Sequence, residues 1–148
     1  MAATVTVDAT ALKDLAQLFL DYAHSLITNT HRVLLAAGYL IENEARETII
    51  QGPTRTGTIY TRGGRTAVRS APGQPAKNDT GILQSALRVV QHLGGSKSTV
   101  EVGYLSSIAP YGKYLENPSG LNRQVLGPAL TSQWPRITRL LERELRKV

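Results

Sequence analysis

Residues 10–50 read TALKDLAQLFLDYAHSLITNTHRVLLAAGYLIENEARETII, and the fold turns on how this stretch is parsed. Leu12, Leu15, Phe19, Tyr22 and Leu26 recur at intervals of three and four, which places them on one face of an α-helix. Asp8 or Thr10 stands where a side chain accepts hydrogen bonds from the free N–H groups of a first turn. The spacing resumes with Val33, Leu34, Ala37, Ile41, Ala45 and Ile49, and Gly52-Pro53 stops it. Thr28, Asn29 and Thr30 are weak helix formers between the two halves. The stretch therefore reads as one long helix, or as two joined at 28–30. Forty helical residues span about 60 Å, longer than a small domain is wide. Part of such a helix has to pack on something beyond its own core, which points to an oligomer.

Downstream, residues 51–78 hold five glycines and three prolines. Gly57–Thr61 and Thr66–Arg69 read as short strands around Gly63-Gly64, a pair suited to a hairpin turn that needs positive φ. Little apolar content holds this segment to a core, so it reads as a projecting arm at about 51–78. Asp79 or Thr80 caps a short helix through Ile82, Leu83, Ala86 and Leu87, with Gly81 lowering its stability. Arg88–Leu93 and Thr99–Tyr104 flank Gly94–Ser98 as an antiparallel pair, with Val100 and Val102 facing one way. A short helical stretch opens at Pro110 and ends at Asn117–Gly120. The last helix runs from about Pro128 to Arg146 with Leu130, Trp134, Ile137, Leu140, Leu141 and Leu145 as its apolar positions. Pro135 predicts a kink or a fresh start near Trp134. The expected class is α+β: a long N-terminal and a C-terminal helix packed on a small antiparallel sheet, in a single domain over residues 1–148.

The chain has 148 residues, 41% of them hydrophobic and 19% charged, enough for one core and unlike a chain disordered throughout. Cysteine is absent, which removes disulfides, thiolate nucleophiles, iron–sulfur clusters and sulfur-ligated zinc. Residues 1–10 lack the basic cluster and apolar run of a secretory leader, and the longest apolar run, Val33–Ala37, is far short of a membrane span. A soluble protein without membrane contact is expected. The net charge is +6, and it is uneven: Thr48–Lys77 contains Arg55, Arg62, Arg65, Arg69 and Lys77 and no acid. A basic loop of this kind meets either nucleic acid or an acidic protein surface.

Residues that do chemistry are sparse. His24 and His31 lie two helical turns apart, but no carboxylate shares their face, so no metal site is expected. Glu42 pairs with Arg46 at i,i+4, and Glu44 and Glu47 complete a solvated face. Gly94–Ser98 lacks the spacing of a phosphate loop. Ser70, Ser85 and Ser132 have no base and orienting acid nearby in sequence. Tyr104, Tyr111 and Tyr114 near Arg88 and Lys113 are stacking platforms for single strands on one reading and anchors of a short helix on the other. No catalytic set and no cofactor are expected.

Three segments carry a resemblance. Ser70-Ala71-Pro72-Gly73-Gln74-Pro75-Ala76-Lys77-Asn78-Asp79-Thr80-Gly81-Ile82-Leu83 resembles the Ser-Ala-Pro-Gly-Glu-Pro-Pro-x-x-Asp-Thr-Gly-x-Leu signature of the tailed-phage minor tail component family, also called tail-completion or head–tail joining proteins. Tyr111-Gly112-Lys113-Tyr114-Leu115-Glu116 is similar to its Tyr-Ala-x-Tyr-aliphatic-Glu motif, and Leu126-Gly127-Pro128-Ala129-Leu130 to its Phe-Leu-x-Pro-Ala-Leu stretch. Gln74 stands for the usual Glu, Ala76 for the second Pro, Gly112 for Ala, Ala86 for Ser, and Asn117-Pro118 displaces a closing Gly. The order of elements matches as well, over roughly residues 30–148.

The resemblance implies a structural virion protein in a ring at the neck or head-proximal tail, joining the portal side to the tail around the DNA channel. It implies a homo-oligomer of six or twelve, with adaptor or stopper, tail terminator or tail tube as neighbours, assembled in the host cytoplasm. On this reading Tyr60, Arg62, Arg65, Arg69, Tyr111, Tyr114 and Trp134 make inter-subunit or inter-ring contacts. Trp134 reads equally well as core. Pro72, Gly73, Asp79, Thr80, Gly81, Leu83, Glu116 and Pro128 form the structural motif, with Glu116 paired to an arginine such as Arg123. Arg55 and Lys77 are the expected points of non-specific contact with channel DNA. The alternative is a small basic nucleic-acid-binding module whose footprint is residues 55–77.

Overall fold

The structure, a computed structural model, describes residues 9–77, 81–93 and 97–147. The expected caps Asp8, Asp79 and Thr80, and the Gly94–Ser96 part of the second hairpin turn, lie outside the described residues. In chain order the elements are α1 (Ala9–Gln51), β1 (Ile59–Arg62), β2 (Arg65–Val68), α2 (Ile82–Ala86), β3 (Leu87–His92), β4 (Thr99–Tyr104), α3 (Gly112–Glu116) and α4 (Leu126–Leu145). The fold is α+β, with long N- and C-terminal helices packed on two antiparallel two-stranded sheets.

Of the two readings of the first helix, one unbroken helix of 43 residues is found. The weak stretch at 28–30 does not divide it, and the Thr30 hydroxyl donates within the helix to the Leu26 carbonyl at 2.8 Å. The C-terminal half of α1 carries the core: Ala45 and Ile49 meet Leu83, Ala86, Leu87, Ala109, Leu115, Val125 and Ala129. Helix α4 runs antiparallel to α1, since Gln133 donates to Glu44 at 2.9 Å while Glu144 lies 4.0 Å from Arg32.

Strands β3 and β4 pair from Leu87↔Tyr104 to His92↔Thr99, so β3 begins one residue earlier than expected and stops before Leu93. Leu87 and Val89 with Val100 and Val102 turn to the body, and Arg88 and Glu101 face solvent. Gly38 makes this seat possible: a Cβ there would stand 2.6 Å from Val100 Cγ1 and 2.7 Å from Val89 Cγ1. The first hairpin pairs Ile59↔Val68 to Arg62↔Arg65 across Gly63 and Gly64, both at positive φ (56° and 76°), as the turn chemistry requires.

Three local expectations are corrected. Gly81 was expected to weaken α2; it occupies a left-handed conformation (φ 80°) just before the helix, where a side chain would be strained, so glycine suits the position. Helix α3 begins at Gly112 and not at Pro110. Helix α4 begins at Leu126 and not at about Pro128, and it continues through Pro135 without a fresh start near Trp134. Pro135 and Thr131 both lie on the exposed side of α4, where a lost helical hydrogen bond costs less than in a packed interior.

Candidate functional site

The three motif segments converge in space. Backbone bonds join the first to the chain ahead of α4: Gly73 N–H donates to the Asn122 carbonyl at 2.7 Å and Ala76 N–H to the Arg123 carbonyl at 3.2 Å. Ala76, Leu83, Leu115 and Ala129, drawn from all three, share the core. At their centre is Glu116. Its carboxylate accepts the N–H groups of Val125 and Leu126 at 3.1–3.2 Å, and the Tyr104 hydroxyl donates to it at 3.0 Å. No side chain of its own caps α4, so a carboxylate from α3 takes the orphan donors and the positive end of the helix dipole. This replaces the expected Glu116–Arg123 ion pair, which is absent among the described residues. Burial, then the neighbouring Glu116 charge, push the Tyr104 phenol far above its ordinary pKa.

Two positions acquire structural reasons here. A Cβ at Gly112 would sit 2.7–2.8 Å from the Tyr104 side chain, so alanine does not fit while Tyr104 reaches Glu116. Gln74 uses both ends of its amide. Its Oε1 accepts from Ala71 N–H at 2.9 Å and Thr56 N–H at 3.2 Å, and its Nε2 donates to the Thr54 carbonyl at 3.3 Å. A carboxylate lacks the second donation. Neither constraint is visible without the partner segment.

Above this base lies an open groove of about 800 Å³ between the first hairpin and α3. It gathers Arg55, Tyr60, Arg62, Arg69, Lys77 and Tyr111 from the sequence-predicted set, and adds Arg123, which sequence reasoning cast only as a partner for Glu116. Leu83, Leu115 and Ala76 form its floor. Arg55 Nη1 donates to the Val68 carbonyl at 3.1 Å, Lys77 Nζ to the Gly52 carbonyl at 3.0 Å, and the Arg69 guanidinium lies 4.8 Å from the Tyr60 ring centre. Arg65, Tyr114 and Trp134 do not line this groove. Of the motif residues, Pro72 is exposed, Gly73 holds a positive φ (82°), Leu83 is buried, and Pro128 occupies the first turn of α4, where a missing N–H costs nothing.

A second feature is apolar. From Leu12 to Ser25 every residue of α1 is exposed. The stripe that buries Val33 and Ala37 continues outward as Leu26, Tyr22, Phe19, Leu15 and Leu12, and among the described residues the end of α4 at Lys147 borders it, around a hollow of about 440 Å³ with Leu18, Phe19 and Tyr22. On α4, Leu130, Trp134, Leu141 and Leu145 form a second exposed stripe beside the buried face. Trp134 is 60% exposed, so it is not core within this chain.

The remaining candidates separate. His31 Nε2 lies 2.6 Å from Ser98 Oγ and ties α1 to the chain leading into β4, while His24 is exposed. Among the described residues no group of three or more His, Asp or Glu is placed to hold a metal, and no helix is long and apolar enough to cross a membrane. Arg46 pairs with Glu42 as the spacing predicts, and also donates to the Gln84 carbonyl at 3.1 Å. Comparison of the chain with protein-family models, curated proteins and solved structures finds no match.

Proposed function

We propose that this chain is a structural subunit of the head–tail connection of a tailed bacteriophage, assembling with copies of itself into a ring around the DNA channel. The observation that carries the self-assembly is the uncovered apolar half of α1 together with the exposed stripe on α4. In a closed ring the contact is heterologous, one face of each subunit meeting a different face of the next. The α1 stripe of one copy lies on the α4 stripe of its neighbour, with Asp14 and Asp21 beside Arg136, Arg139 and Arg143. Exposed side chains of the two stripes supply on the order of 1,000 Å² of contact, the scale at which specific interfaces begin. The virion assignment is supported by the three motifs in order and by the convergence of their residues on one core.

The test is the native mass of the purified protein, alone and mixed with its neighbouring virion proteins. A closed ring of six or twelve is expected in at least one of these conditions. A Leu15→Asp/Phe19→Asp double variant should remain monomeric and folded by circular dichroism, because both side chains are exposed in the single chain. A wild-type chain that stays monomeric in every mixture overturns the reading. If that monomer also binds DNA with a steep salt dependence, the module using residues 55–77 takes its place.

A further inference from the structure

Four cations of the groove are short of counter-charge among the described residues. Among the described residues that line it there is no carboxylate, whereas Arg62, Arg69, Lys77 and Arg123 all border it. None of these four makes a salt bridge among the described residues. Lys77 keeps two of its three donors after its bond to Gly52, and Arg123 Nε is enclosed without a hydrogen-bond partner. These charges border an apolar floor of Leu83, Leu115 and Ala76, with the exposed Leu121 side chain at its edge.

From this pattern we propose that the groove docks an extended acidic segment of a partner protein, with an apolar side chain flanked by carboxylates. The apolar residue enters over Leu83, Leu115 and Leu121, and the flanking carboxylates reach Arg62 and Arg69 on one side and Lys77 and Arg123 on the other. A nucleic acid fits this surface less well. Its phosphates answer the rim but leave the apolar floor uncovered, and the Tyr60 ring on which a base would stack is already faced by Arg69. A peptide satisfies rim and floor together, and bidentate arginine–carboxylate pairs add geometric selectivity.

The inference concerns a different surface from the apolar stripes and does not depend on ring formation, so the two readings fail separately. The probe is a fluorescein-labelled peptide, Gly-Asp-Glu-Leu-Phe-Glu-Asp-Gly, followed by fluorescence anisotropy against the full chain and displaced by the unlabelled peptide. Saturable binding is expected, weakened about tenfold by Arg62→Glu/Arg69→Glu, both side chains being exposed and the fold retained. Replacing Leu-Phe by Gly-Gly in the probe, or Leu121→Asp in the protein, should weaken it by about fivefold or more. Three results each overturn the proposal: no saturable binding, equal binding of the Gly-Gly probe, or tighter binding of a labelled 20-nucleotide DNA of either strandedness.

Discussion

Replacing Glu116 tests whether one carboxylate organises the C-terminal half of the molecule. It accepts two backbone N–H groups at the start of α4 and the Tyr104 hydroxyl, all at 3.0–3.2 Å. Hydrogen bonds to a charged group contribute about 1.5–3 kcal/mol each when fully enclosed. Val125 is fully buried and its N–H would be left without a partner, whereas Leu126 is half-buried and its N–H can regain water, so Glu116→Ala should cost about 3–4 kcal/mol and not the full sum. Glu116→Gln retains one acceptor oxygen but loses the charge at the helix terminus, and should cost about 1–2 kcal/mol. For a chain of this length each kcal/mol lowers Tm by about 2–4 °C, so the alanine variant should melt roughly 10 °C lower. Urea titrations followed by circular dichroism and by the single Trp134 on α4 give the free energies. A spectroscopic signature separates this role from generic packing. In the wild type one of the six tyrosines should resist ionisation on alkaline titration, and in Glu116→Gln it should ionise at lower pH, because a negative neighbour is gone. An alanine variant within about 0.5 kcal/mol of wild type, or a glutamine variant as damaged as alanine, would refute the reasoning.

Gly38→Ala should destabilise by about 1–3 kcal/mol despite the better helix propensity of alanine, because its methyl group collides with Val89 and Val100. Val100→Ala in the same chain should recover part of the loss, and urea titration checks both. Glu144 is held below the ordinary carboxyl pKa first by its hydrogen bond to Lys147 and then by the Lys147 and Arg143 charges. Its stabilising effect is therefore complete above the unfolded carboxyl pKa of about 4.3 and is lost as pH falls through the lower folded value. Glu144→Gln should flatten the stability-versus-pH profile across that acidic window, and an unchanged slope counts against the assignment.

Local rules account for much of what was legible in advance. The three-and-four spacing of α1, the Gly63-Gly64 turn and the alternation in β4 are interactions among residues within a few positions of one another. They survive in any context that supplies a core, and their boundaries hold to within one or two residues. Thr28–Thr30 left one helix or two open, and Pro135 a kink or a fresh start, for the same reason. Propensity describes an isolated helix, and in the folded chain both helices continue through these residues.

The candidate site divides along the same line. A surplus of arginine in 55–77 and a first helix too long for its own core are facts of composition and periodicity, and the sequence by itself determined both. Only the tertiary structure decided that Arg62, Arg69 and Arg123 line one groove with Leu83 and Leu115, that Gly38 and Gly112 are seats for side chains from other elements, and that Glu116 closes the end of α4 and not an ion pair. Those roles depend on distances between groups that the chain brings together only by folding. A carboxylate ten residues before a helix start carries no local mark of the donors it will meet.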